Sequence, residues 1–196
     1  IGTDPTWKVK GGPILRNNVY LGEVYDARLE IPGWDKPGSD DPAWASAVPC
    51  AVPVGPLQAQ PQPPIRVTAR FKPVAVSEPK PGVFIYDFGL NLAGWASLRL
   101  RAPAGTTVKL RFGELLHEDG TLNPLTSICG QIKGHRKSGE SIGGQGAPEF
   151  AEQSDLYIAK GGGEETYTPR FSFHGFRYAE VTGLPRRPAL DDLEGL

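Results

Sequence analysis

The stretch Tyr86-Asp87-Phe88-Gly89-Leu90-Asn91-Leu92-Ala93-Gly94-Trp95 places a carboxylate, an amide and an indole around two glycines. Those residue types suit a hydroxylated ligand, because a sugar site needs planar polar groups to bridge neighbouring hydroxyls and an aromatic face to cover the apolar side of the ring. Asp87, Asn91 and Trp95 are therefore candidate carbohydrate contacts. The same residues have a plainer use. Asp and Asn at a strand end commonly bond to nearby backbone in turns, and a Trp commonly fills a core.

Three further groups could do chemistry. Glu114 stands ahead of His117-Glu118-Asp119-Gly120, either as a ligand contact or as the polar exit of a hairpin. With Asp87, Glu118 and Asp119 it forms the pool from which a glycoside-cleaving acid and base would be drawn, but their separation defines such a pair and a sequence does not supply it. His174 and Arg177 lie in Phe171-Ser172-Phe173-His174-Gly175-Phe176-Arg177-Tyr178, whose alternation changes parity after Gly175. A β-bulge at Gly175 explains the switch and would present His174 and Arg177 at an edge or interface; otherwise His174 is a hydrogen-bonded structural histidine. Glu23 shares one alternation face with Val19, Leu21, Tyr25 and Ala27, so it is a carboxylate on an apolar side and needs a partner. Asp26 and Arg28 share the opposite face, where an Arg fork can hold a carboxylate bidentately. Calcium at Glu23 and Asp26 is the rival reading, and it requires several more oxygen ligands. Metal ligands stay unassigned. His117 and His135 lack metal spacing to each other or to Cys129. Phosphate loops, nucleophile elbows, His-Glu-x-x-His and paired CxxC motifs are missing, so no catalytic residue is assigned.

The elements that must position these groups read as strands. Twenty-five glycines and 20 prolines lie between periodic apolar segments, a pattern of turns between strands. Val67, Ala69 and Phe71 alternate with Thr68 and Arg70; Leu98 and Leu100 alternate with arginines; Val108, Leu110 and Phe112 alternate with Lys109 and Arg111. Ala102-Pro103-Ala104-Gly105-Thr106 then predicts a turn between antiparallel neighbours at 96–102 and 107–114. Further strands are expected at Val19 to Arg28, Val83 to Phe88, Asp155 to Ala159 and Phe171 to Val181. Helix should stay below about a tenth, with one short turn around Pro148 to Ser154. Proline-rich Ala47 to Pro64 predicts an extended crossing, and Gly120 to Gln153 predicts a long loop. The fold class is all-β: an antiparallel β-sandwich over 61–196, preceded by a partial β segment and proline-rich linker over 1–60.

Composition narrows the partners. The chain has 196 residues, 39% hydrophobic, with 21 Lys plus Arg against 22 Asp plus Glu. Such a balance gives no field to draw in nucleic acid, and no apolar run is long enough to cross a membrane. Neither is expected as a partner. A chain with no Met and no apolar leader is read as a soluble fragment, secreted or periplasmic location remaining open. Cys50 and Cys129 are compatible with a disulfide or with two free thiols.

Gly12-Pro13-Ile14, Tyr20-Leu21-Gly22-Glu23-Val24-Tyr25-Asp26-Ala27-Arg28, Gly33-Trp34 and Trp44 resemble the closing part of the N-terminal jelly-roll domain of bacterial α-L-rhamnosidases of glycoside hydrolase family 78. From about Ile65 the chain resembles that family's concanavalin-like sandwich, through Asp87-Phe88-Gly89, Asn91, Ala93-Gly94-Trp95, Ala104-Gly105-Thr106, Glu114-Leu115, Asp119-Gly120, Asp155-Leu156-Tyr157 and Phe171 with His174-Gly175-Phe176-Arg177-Tyr178. Leu90 departs from the family's glutamine, and Thr126 to Gln153 is longer than its usual link. The resemblance implies a multidomain inverting enzyme acting on terminal α-L-rhamnose, with acid and base in an (α/α)₆ barrel beyond this segment. It also leaves calcium open, since a jelly-roll module with a calcium ion binds sugar in some members. The expected partners are that catalytic barrel and rhamnose-containing glycans. The expected role is a non-catalytic accessory piece, against a free-standing carbohydrate-binding module or a purely structural interdomain sandwich.

Overall fold

The computed structural model describes residues 4–38, 43–50, 55–56, 58–127, 134–135, 141–142 and 153–196. Two compact units divide it: residues 1–12 with 29–66, and residues 13–28 with 67–196. In the smaller unit Lys8–Val9 pairs antiparallel with Ala45–Ser46, Trp34 is exposed, and residues 58–66 are exposed and free of regular structure.

The larger unit is a β-sandwich. Its strands are β1 (Ile14–Asn18), β2 (Gly22–Asp26), β3 (Ala75–Lys80), β4 (Val83–Gly94), β5 (Ala96–Arg101), β6 (Thr107–Gly113), β7 (Ser154–Ile158), β8 (Glu164–Tyr167), β9 (His174–Thr182) and β10 (Leu193–Gly195). One sheet runs β1-β2-β7-β6-β9-β4-β3, the other β8-β5-β10. All neighbours are antiparallel except β2 and β7, which pair parallel with Tyr25 opposite Tyr157. The all-β sandwich expected from alternation is what the chain forms, and helix among the described residues is confined to three short 3₁₀ turns.

The core lies between the inner faces. Phe84, Tyr86 and Phe88 of β4, Val108, Leu110 and Phe112 of β6, and Phe176, Ala179 and Val181 of β9 meet Ala96, Leu98 and Leu100 of β5, Tyr167 of β8 and Leu193 of β10. Tyr157 on one sheet stacks on Tyr167 of the other, 4.8 Å between centroids. Each fully buried Leu or Phe of this kind contributes about 1.5–3 kcal/mol.

Several expected strands come out differently. β5 and β6 are not hairpin neighbours: they lie in opposite sheets, and the 102–106 connection crosses the core's edge. Each has one apolar face, and pointing those faces at each other across the core buries both. Val67 to Arg70 is exposed and unpaired; only Phe71 forms a bridge, to Gly195, through two 2.9 Å backbone bonds. Alternation there had no neighbour to complete a ladder. Of Val19 to Arg28 only Gly22–Asp26 is strand: a turn at 19–21 precedes it, closed by Asn18 Oδ1 accepting from the Tyr20 and Leu21 amides at 2.8 and 3.2 Å, and a 3₁₀ turn at Ala27–Leu29 follows it. The last long strand starts at His174, leaving Phe171 and Phe173 exposed. The short helical turn expected from Pro148 falls on residues outside the described ones up to 152; Gln153 and Ser154 are not helical. Most of the long loop from Gly120, with Cys129, also lies outside the described residues, while Cys50 is exposed. Among the described residues no helix is long and apolar enough to cross a membrane.

Candidate functional site

The register of β4 against β9 breaks between Phe176 and Tyr178. Leu92 faces Phe176 and Asp87 faces Tyr178, so Phe88 to Asn91 of β4 stand opposite the single residue Arg177. The irregularity was expected at Gly175; it lies two residues on, and the extra length is in β4. Gly89 makes the excursion at φ 73°, and its amide donates to Asp87 Oδ1 at 2.7 Å.

This bulge gathers four of the expected residues. Arg177 Nε and Nη2 donate to the two Asp87 oxygens, each at 2.9 Å, and the guanidinium carbon lies 4.9 Å from the Tyr178 ring centroid. Asn91 Nδ2 donates to Glu114 Oε1 at 2.7 Å. Asp87, Glu114 and Arg177 are half-buried and Asn91 is exposed, so amide, guanidinium and carboxylate edges share one accessible patch. The Arg177 fork holds the Asp87 carboxyl below its ordinary value, helped by the Gly89 amide and opposed by burial. A lowered folded-state value contributes stability that is present at neutral pH and disappears as pH falls through that value. In Arg177→Gln the Asp87 carboxyl should therefore return toward 3.8. The variant's stability deficit, small for so exposed a pair, should disappear once the pH falls below the lowered Asp87 value. NMR titration of the carboxyl carbon, with urea unfolding at pH 7 and stepwise below the ordinary value of 3.8, checks both; an unmoved titration would refute the pairing.

The other two expected residues lie elsewhere. Trp95 sits partly exposed where β4 passes into β5, its backbone paired reciprocally with Leu196 at 3.1 and 2.9 Å. His174 is not presented at an edge; it is fully buried, and its ring stacks on Phe112 at 4.3 Å. Nε2 lies 3.0 Å from Asp155 Oδ2 and Nδ1 lies 2.8 Å from Gln153 Oε1. That is the structural alternative for this histidine.

His174 belongs to an interior polar network. Asp155, fully buried, also accepts from the Glu23 amide at 2.8 Å and the Ser172 hydroxyl at 3.3 Å. Glu23, also fully buried, accepts from the Tyr167 hydroxyl at 3.2 Å, the Arg170 amide at 3.1 Å and Asn17 Nδ2 at 3.4 Å. Burial raises the Glu23 carboxyl and pushes the Tyr167 hydroxyl far up. A signal did exist in the sequence: Asp155 shares its alternation face with Tyr157, the same argument that singled out Glu23. Asp26 meets Arg28 bidentately at 2.8 and 2.7 Å, the ion pair expected there. Among the described residues no three His, Cys, Asp or Glu side chains are grouped to hold a metal ion.

Comparison with known proteins places these features in a family. Residues 77–196 match the bacterial alpha-L-rhamnosidase concanavalin-like domain, and residues 1–69 match the alpha-L-rhamnosidase N-terminal domain. An alpha-L-rhamnosidase of Streptomyces avermitilis is 42% identical over all of this chain, which covers 17% of that protein. One from Formosa agariphila is 34% identical over 99% of the chain and 19% of its own length. The solved structure of the alpha-L-rhamnosidase from Dictyoglumus thermophilum superposes with a TM-score of 0.83 at 41% identity, over the whole chain and 20% of that protein. The Streptomyces avermitilis enzyme complexed with L-rhamnose gives 0.83 at 40%, over the whole chain and 17% of its own. The chain spans about a fifth or less of the relatives it matches along nearly all of its own length, and it belongs to the bacterial α-L-rhamnosidase family.

Proposed function

We propose that this chain is a non-catalytic accessory part of an α-L-rhamnosidase. Its sandwich supports a catalytic barrel carried elsewhere in a parent protein that removes terminal α-L-rhamnose, and the bulge at Asp87, Asn91, Glu114 and Arg177 contributes polar contacts to that enzyme's rhamnose-bearing glycans.

The state of the carboxylates supports the non-catalytic part. A glycoside-cleaving pair needs an accessible acid whose value is raised, set across from an ionised partner. Asp87 is lowered by Arg177, and Asp119 is pushed down to about 2 by Thr121 and Lys80. Glu23, whose carboxyl is raised by burial, has no exposed surface on which to meet a substrate. The 196-residue chain should give no turnover of an aryl α-L-rhamnoside above buffer. Enzyme-like turnover that survives repurification, and is lost on Asp87→Asn or Glu114→Gln, would overturn this reading.

A further inference from the structure

We propose that the edge of β7 is a strand-acceptor site and that the hairpin Pro13–Arg28 is its ligand, so that the sandwich is completed by non-covalent capture of this segment. The captured segment falls in the stretch that matches the N-terminal domain, and the acceptor in the stretch that matches the concanavalin-like domain. The two matched regions are thereby interlocked.

Chain order carries the first step. Pro13–Arg28 packs in the larger unit, while the residues on both sides of it, 1–12 and 29–66, form the smaller one. The chain therefore enters the sandwich, leaves it and returns at Val67. Within the sheet β7 holds β6 on one side through an antiparallel ladder and β2 on the other through a parallel pairing. Only β2 and β1 lie beyond β7 at that end, so a sandwich without residues 13–28 would end on β7 with a row of unpaired backbone groups.

The edge is shaped for one kind of segment. An added strand gains affinity from main-chain bonds and specificity from its alternate side chains. Here the alternate residues Glu23, Tyr25 and Ala27 supply that specificity. Glu23 accepts from the Tyr167 hydroxyl and the Arg170 amide, while its own amide donates to Asp155 on the acceptor strand. The Tyr25 ring joins Tyr157 and Tyr167 at 5.9 and 5.8 Å between centroids, and Ala27 is buried in the core. Gly22 lets the two backbones meet, because a Cβ there would collide with the Ser154 carbonyl. The edge thus accepts the pattern Gly-Glu-x-Tyr-x-Ala. A segment lacking the Glu would leave the Tyr167 hydroxyl short of its acceptor inside the core.

Cutting both covalent connections of the hairpin in the full chain tests the assignment. Protease sites are placed at Gly11-Gly12 and at Lys36-Pro37-Gly38, both exposed, and the folded, doubly cut protein is passed through gel filtration in native buffer. The excised segment should co-elute with the sandwich and should leave about ten-fold faster or more in Gly22→Ala and in Tyr25→Ala. Arg16→Ala, exposed on β1, should change its release by less than about three-fold. Prompt loss of the segment from a remainder whose circular dichroism is unchanged overturns the capture. Retention indifferent to Gly22→Ala and Tyr25→Ala overturns it as well, since residues 29–36 would then be the anchor. If the cut protein or the variants do not fold, hydrogen exchange in the intact chain decides. The Glu23 and Asp26 amides donate to Asp155 Oδ1 and to the Pro13 carbonyl, each at 2.8 Å, and should exchange within about ten-fold of the slowest β9 amides. Faster exchange means that the hairpin opens apart from the sandwich and overturns the proposal. None of these outcomes bears on turnover of the aryl rhamnoside, so the two proposals fail separately.

Discussion

Replacing Asp155 by Ala should lower stability by about 3–5 kcal/mol, since buried polar groups that lose their partner forfeit solvation as well as the bond. Three groups converge on this one carboxyl: the Glu23 amide and the Ser172 hydroxyl donate to it at 2.8 and 3.3 Å, and His174 Nε2 lies 3.0 Å away. They come from β2, from the segment before β9 and from β9 itself, so the loss loosens three places at once. A drop in Tm of roughly 10 °C or more is the expected readout. Asp155→Asn keeps an acceptor for the Glu23 amide and Ser172 and sets an amide donor against His174 Nε2, which the ring accepts with its proton on Nδ1 toward Gln153 Oε1, so it should lose much less. If Asp155→Ala unfolds within about 1 kcal/mol of the parent chain, the interior network is not what holds β2 to the sandwich.

Gly22→Ala should be at least as damaging, by more than about 4 kcal/mol, a loss reserved for a few mechanisms. Gly22 has φ 79°, and an added Cβ would lie 2.0 Å from the Ser154 carbonyl oxygen, 2.6 Å from its carbon and 2.7 Å from Asp155 Oδ1. Backbone cannot step aside there, because β2 pairs with β7 two residues on, Val24 opposite Leu156. Gly162→Ala separates conformational strain from collision: φ is 91° but nothing lies within 4 Å of the added carbon, so about 1 kcal/mol is expected. Hydrogen exchange at Val24 and Tyr25 gives the local readout. Protection in Gly22→Ala equal to that in Gly162→Ala would show that the close approach does not exist.

Both substitutions act on a network seen only in part from sequence. Glu23 was marked as a carboxylate on an apolar face, and it is buried with three donors around it. Its partners could not be named, because Tyr167 and Arg170 lie more than 140 residues away along the chain. The bulge behaves in the same way. Asp87 and Arg177 were each candidates, but their bidentate bond joins positions 90 residues apart and depends on four residues of β4 standing opposite one of β9. Trp95 was grouped with Asp87 and Asn91 by proximity in the chain, yet its backbone pairs with Leu196 and continues the ladder of the other sheet.

Local pattern alone settled the class of element and the inward faces: Leu98 and Leu100, and Val108, Leu110 and Phe112, are buried as their alternation requires. A period of two is a property of consecutive residues, so it can be read without knowing the fold. Which strand lies beside which is decided by burial of whole faces against one another, and only the assembled sandwich could put β5 and β6 in opposite sheets, seal His174 inside and bring Asp87 to Arg177. Pairing energy is gained between residues far apart in the chain, where no local pattern records it.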